Sequence, residues 1–260
     1  MAKPIIDDEL WTLIEPLLPP PKPRREKNPG CLPVSNRAAL TGIPFVLKTG
    51  LRWRDLPAEM GCGSGVTCWR RLRDWQAACL GSLARATARK AARSGPDRLL
   101  TSRLRFIIDS RSWGRPKTGP NPTDRARPGS KHHLVTDANG TPLAAILTGA
   151  NVNDVTQLLP RIDAIPPIRG LRGHPLQRPR VVNADRGYDS ERHRRALRDR
   201  GIEPVIAKRR TEHGSGLGKY RWVVERTHAW LHHFRRLRIR FERRADIHGA
   251  FLKLGCCLIC

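Results

Sequence analysis

Three acidic residues in this chain, Asp109, Asp185 and Glu225, are candidates for metal ligands. Asp109 closes the short apolar run "FIID", residues 106–109, and Asp185 closes "RVVNAD", residues 180–185. Each run reads as a strand, so both aspartates fall at a carboxyl strand end, the edge of an open sheet where ligands bind. Glu225 lies in "KYRWVVERTHAWLHHFRRLRIR", which reads as one long helix from about 219 to 240. On that helix Val223, Trp230, Phe234 and Leu237 form the core stripe, while Arg221, Glu225, His228 and His232 share a polar face. A carboxylate on a face that meets a sheet is costly unless it is held. Arg221, one turn earlier, can hold it or contact a phosphate beside it. Three carboxylates can carry two divalent ions on a phosphodiester. One ion activates the attacking water or 3′-hydroxyl, and the other stabilises the leaving oxygen. Hard oxygen ligands suit Mg2+ or Mn2+. The plainer alternative makes the aspartates turn residues and Glu225 a surface ion pair with Arg221. Spacing alone leaves both open.

The charge balance narrows the partner. The 260 residues hold 49 Lys and Arg against 23 Asp and Glu, a net charge of +26. A field of that size draws polyanions, and double-stranded DNA is the expected one. A membrane surface fits less well, because the basic residues do not gather on one amphipathic helix. No apolar run reaches 18 residues and the N-terminus lacks a signal-peptide core, so a cytoplasmic location is expected. Seven cysteines at irregular spacings fit reduced thiols better than a zinc site.

Other elements must position the acids. "DDELWTLIEPLL", 7–18, reads as a helix capped by Asp7 or Asp8, with Trp11, Ile14, Leu17 and Leu18 as its stripe. A Pro-rich basic arm follows. A second helix is expected from Ser35 to Gly50 and a third from about Thr67 to Leu80. These helices suggest a small helix-turn-helix-like DNA-binding unit, with Arg70, Arg71 and Arg73 on its third helix as candidate contacts. Residues 81–104 read as a linker. Beyond them, Asn139-Gly140 between two apolar runs signals a hairpin. Asp154 is expected to cap a helix, and Ser190 another closed by Gly201. "EPVIAK" reads as a last strand. The order is strand, hairpin, helix, strand, helix, strand, helix, a mixed sheet flanked by helices.

The blocks "FIIDS", "KTGPNPTDRARPGSKHHLVTDANGTPLAAILTGANVNDVTQL", "ADRGYDS" and "KYRWVVERTHAWLHHFRRLRIRFERRADIH" resemble the DDE transposases of the IS5 family of bacterial insertion sequences. "DELWTLIEPLLP" and "LRWRDLP…CWRRLRDW" resemble the N-terminal domain of those proteins. The resemblance covers nearly the whole chain. It implies a ribonuclease H-like catalytic domain over 105–260, after a helical domain over 1–80 and a linker over 81–104. It implies that Asp109, Asp185 and Glu225 are the catalytic, metal-binding triad, with Mg2+ or Mn2+. It also implies DNA cleavage and strand transfer at element ends by a homo-oligomer assembled on DNA. Of the family signature Y-x2-R-x3-E-x6-K, Arg221 and Glu225 match, while the tyrosine position falls on Gly218 and the final basic position on His232. Residues 80–118 depart from the family's pattern, and the chain closes on "CCLIC" where more helix is expected. Lys131, His132 and His133 in "GSKHH", with Arg186, Arg221 and His232, are candidate phosphate contacts. A metal-dependent nuclease that cuts without joining, and a DNA-binding remnant without catalysis, are the alternatives.

Overall fold

The computed structural model describes residues 5–20, 26–28, 30–78, 101–110, 116–168, 178–210 and 218–260, with the backbone alone at 78, 101–110 and 218–221. Three helices come first: α1 (Asp8–Ile14), α2 (Asn36–Thr49) and α3 (Gly65–Ala78). Asp7 and Ser35 are the N-caps of α1 and α2, accepting from Leu10 N at 2.9 Å and Ala38 N at 3.1 Å. These bonds satisfy donors that a helix start leaves orphaned. Residues 50–64, with two 3-10 turns at Trp53–Asp55 and Ala58–Met60, join α2 to α3. That connection is far longer than the three or four residues of a helix-turn-helix.

The sheet has six strands: β1 (Thr101–Ser110), β2 (Gly119–Pro120), β3 (Pro128–Thr136), β4 (Pro142–Gly149), β5 (Val181–Ala184) and β6 (Glu203–Ile206). β1 begins four residues inside the stretch expected to be linker, whose other residues lie outside the described ones. β3 pairs antiparallel with β1, β2 and β4, while β5 runs parallel to both β1 and β6. This is the ribonuclease H-like order, an antiparallel hairpin beside a central strand and two parallel strands on its other side. The β3–β4 turn forms at the expected place. Asp137 accepts from Asn139 N and Thr141 N, both at 2.8 Å, and Gly140 takes φ +90°. Only glycine adopts that backbone without cost.

The helices after the hairpin differ from expectation in three places. Asn153, not Asp154, caps the first, a 3-10 turn at Asp154–Gln157 that leads into α4 (Leu158–Asp163). Ser190 is the N-cap of α5 (Glu191–Arg198), but its hydroxyl pairs with His193 Nδ1 at 2.9 Å and makes no side-chain bond to the backbone. The long helix breaks at Phe234 into α6 (Gly218–His233) and α7 (Arg235–Arg238), and a further helix, α8 (Ala245–Ile259), follows. Phe234 takes extended φ and ψ, which ends the helical period. Trp230 is 39% exposed rather than in the core, because Leu231 and His228 occupy the buried face of α6.

Two apolar clusters flank the sheet. One is built on Val135, Val182, Tyr188 and residues of α4 and α5. The other joins α1, α2 and α3 to Leu134, Leu231, Phe234 and the buried face of α8 in a single core. The N-terminal helices therefore bury their apolar faces against the C-terminal ones. Within the N-terminal part, α3 starts against the Trp53 turn at Gly65, where an added Cβ would stand 1.6 Å from the Trp53 carbonyl oxygen. Gly65→Ala is expected to cost about 3 kcal/mol through this overpacking, read as a lower urea midpoint with the slope unchanged.

Candidate active site and its interior

Asp185 directly follows β5 and caps the 3-10 turn Arg186–Tyr188, its Oδ1 accepting from Gly187 N at 2.9 Å. It is therefore both a turn residue and a strand-end carboxylate. Asp109 lies in β1 opposite Ser130 of β3. The β1–β5 register runs Thr101↔Val181 to Arg103↔Asn183, so continuing the count sets Asp185 level with Arg105, four residues short of Asp109. At a strand rise of about 3.3 Å per residue, the two aspartates stand roughly 13 Å apart along the sheet. Glu225 is exposed on α6. Its turn of helix is pinned to the hairpin, where Thr227 Oγ1 donates to Gly140 O at 2.6 Å and Arg226 donates to Asn139 O. That turn lies beyond Thr136, at the far end of β3 from Ser130. The three carboxylates thus occupy neighbouring elements at three levels. Their oxygen chemistry fits a divalent ion.

What gathers beside Asp185 is a second, buried polar group. Lys131 is buried, and its Nζ donates to Asp154 Oδ1 and Val152 O, each at 2.9 Å. Burial pushes the Asp154 carboxyl above the usual carboxylate range, with the Lys131 bond opposing the shift. Arg161 lies over the Tyr188 ring at 4.8 Å and donates to Gln157 O at 2.9 Å. Burial pushes the Tyr188 phenol up to about 12. His133 sits in the same interior, bonded to Thr148 Oγ1 at 2.7 Å. Burial, then Arg161 and Lys131, hold its imidazole down at about 2. His132 meets His248 of α8, with 2.9 Å between their Nε2 atoms. All three residues of "KHH" therefore have interior partners, and their β3 positions are covered by helices on both faces. Asn151 also has a packing role, with its side chain against the backbone of Gly119 and Gly149.

The other candidate DNA contacts are spread out. Arg70 is exposed. Arg71 is half-buried and donates to Val34 O at 3.4 Å. Arg73 binds Asp74 Oδ1 at 2.8 Å and lies over Trp69. Arg186 is half-buried, and its carbonyl accepts from Arg209 Nε at 3.0 Å. His232 is half-buried on α6, and the Arg221 side chain lies outside the described residues.

Sequence reasoning passed over the residues after α6. Arg236 and Glu242 form a buried ion pair at 3.0 Å, and Glu242 Oε1 also accepts from Trp53 Nε1 at 3.1 Å. Arg240 is buried beside them. One signal was present. Glu242 is the only acid in residues 226–245, and Leu237, Ile239 and Phe241 alternate with arginines at a period of two, which a continuous helix does not favour.

The family model described as "Transposase DDE domain" matches residues 101–260, and "Putative transposase of IS4/5 family" matches residues 6–81. The "Putative transposase for insertion sequence element IS402" of Burkholderia cepacia is 97% identical over 182 residues, 70% of this chain and 86% of that protein. The "Insertion element IS402 uncharacterized 16.2 kDa protein" of the same organism is 97% identical over 78 residues, 30% of this chain and 53% of that protein. The two matched lengths together equal that of the chain. Among solved structures, the Mos1 transposase paired-end complex with left transposon end covers 88% of this chain and 82% of its own, at 11% identity and a TM-score of 0.27. The pre-cleavage Mos1 transpososome covers 91% and 80%, at 13% identity and a TM-score of 0.27. Likeness at that score carries no weight for fold or function.

Two outcomes follow from the buried polar group. Lys131→Met leaves Asp154 buried without its cation and is expected to cost about 3 kcal/mol. Lys131→Met with Asp154→Leu recovers most of that loss, as a chemical-denaturation cycle would show. His133 binds a proton near pH 6.5 when unfolded but only near 2 when folded. Stability is full above pH 6.5 and falls as pH drops below it. At pH 5 the loss is about 2 kcal/mol, and His133→Asn removes that part of the slope.

Proposed function

The chain belongs to the DDE transposase family, and on that premise we propose that it cuts double-stranded DNA at the ends of an insertion element and joins them to a target. The supporting observation is the transposase-domain match over 101–260, which falls on a sheet of ribonuclease H-like order. Water attacks the phosphodiester at the element boundary, the bond to the bridging 3′-oxygen breaks, and a 3′-hydroxyl is freed. That hydroxyl then attacks a target phosphodiester and displaces a new 3′-oxygen. Each step exchanges one phosphorus–oxygen bond for another, so positioning and charge stabilisation carry the catalysis.

Asp109, Asp185 and Glu225 are the proposed catalytic carboxylates. A member of this family depends on a divalent metal, and Mg2+ or Mn2+ is the ion proposed here. Asp109, Asp185 and Glu225 would hold the ion, which would activate the attacking oxygen and stabilise the leaving one. A net charge of +26 supports DNA as the partner, its affinity falling steeply with salt. Exposed Arg70, with Arg71 and Arg73, is proposed for the duplex, and Arg186, Arg221 and His232 for phosphates nearer the chemistry. Joining two ends to one target implies at least two protomers on DNA. No helix among the described residues is long and apolar enough to cross a membrane, and action in the bacterial cytoplasm is proposed.

Purified protein, Mg2+ and a labelled fragment carrying the IS402 element end provide the test. Nicking at the boundary, with strand-transfer products on a target plasmid, is expected. Asp109→Asn, Asp185→Asn and Glu225→Gln should each lower the rate roughly a thousandfold or more with end binding retained. Nicking without joined products would favour a nuclease. Binding without nicking in Mg2+ or Mn2+ would sink the proposal and leave a DNA-binding protein.

A further inference from the structure

We propose that Arg240 is a positioning residue that sets the carboxyl end of β1, and with it Asp109. The inference rests on the transposase reading above. Arg240 follows α7 and is only 2% exposed. Its guanidinium ties three chain segments together. Nη1 donates to Ser130 Oγ at 2.6 Å and to Lys117 O at 3.3 Å. Nη2 donates to Pro116 O at 3.0 Å, and Nε to Glu242 O at 3.2 Å. Ser130 is the cross-strand partner of Asp109, and its hydroxyl in turn donates to Lys117 O at 2.9 Å. Residues 116 and 117 lead into β2, which pairs with β3 at Gly129, the partner of Ser110. One cation therefore ties β3, at the residue opposite Asp109, to the segment that enters β2.

The chemistry calls for arginine. A planar fork with five donors can meet acceptors from three directions at fixed angles, whereas an ammonium is a compact point charge on a flexible stem. The loop that carries Arg240 is itself anchored. Glu242 binds Arg236 and Trp53, and Arg236 also donates to Leu51 O. The helices that carry the candidate duplex contacts and the strand that carries Asp109 thus rest on the same few residues. Their effect passes through the place of Asp109, and a misplacement of about 1 Å at a reacting centre can cost a hundredfold in rate.

The test uses full-length Arg240→Lys and Ser130→Ala, the second deleting the 2.6 Å contact to Arg240 together with the hydroxyl's own bond to Lys117 O. Two quantities are measured well below the melting temperature: the single-turnover nicking rate constant per protein–DNA complex, and amide exchange by peptide. Arg240→Lys should lower the rate constant roughly 30-fold or more, with affinity for the element end within about twofold. Exchange should quicken in 101–110 and 128–136 and stay unchanged in 36–49. Ser130→Ala should act in the same direction by a few-fold, and the double variant should be no slower than Arg240→Lys. A rate constant per complex equal to wild type, with merely less folded protein, overturns the proposal. So does exchange that quickens everywhere or nowhere. If the wild-type protein does not nick the element end, the transposase reading fails on its own, and the exchange pattern alone decides whether Arg240 holds β1.

Discussion

A single carboxylate joins the two ends of the chain. Glu242 accepts from Trp53 Nε1, in the connection between α2 and α3, and from Arg236 of α7. Trp53 also stacks on Phe251 of α8, with ring centroids 5.7 Å apart. The energy of this joint comes from the apolar core that α2, α3 and α8 share. The ion pair adds something different. A buried pair contributes little net stability, yet removing one member leaves an uncompensated charge. It therefore fixes which way the N-terminal helices sit rather than how strongly they adhere. Arg240 extends the same joint to the sheet.

The large positive charge also needs apportioning. Arg161, Arg194, Arg236 and Arg240 are buried and bonded to carbonyls or carboxylates. Lys131 is buried against Asp154. These cations act inside the fold, where each terminates backbone or carboxylate acceptors that would otherwise be costly to bury. The field that draws DNA must come from the remaining surface residues, among them Arg70, Arg125 and Arg127. Charge composition alone thus identifies the kind of partner and overstates the number of contacts.

The levels of the three carboxylates have two physical causes. A parallel pairing between β1 and β5 is set by backbone hydrogen bonds, and its register puts Arg105 beside the end of β5. The position of α6 is set separately, by Thr227 and Arg226 bonding to the hairpin turn. At that turn an added Cβ on Gly140 would stand 2.8 Å from the Thr227 hydroxyl. Neither constraint refers to the acids themselves.

Much of this was legible in the sequence. The cap at Asp7 or Asp8, the helix start at Ser35, the turn at Asn139-Gly140, and the strands that carry Asp109 and lead to Asp185 are local features, each decided by a few neighbouring residues. So was the order of elements that makes the sheet. The burial of Lys131, His132 and His133 was not legible, because β3 lies between two helical layers and its polar residues find partners on elements far away in sequence. Nor was the break at Phe234, or the role of Arg236, Arg240 and Glu242, since a run of arginines reads as surface until its acceptors are known. The sequence by itself determined the element types, the family and the sign of the partner's charge, because these follow from local pattern and composition. Only the tertiary structure decided which charges face inward and at what level each carboxylate stands, because those depend on strand register and on groups more than a hundred residues apart.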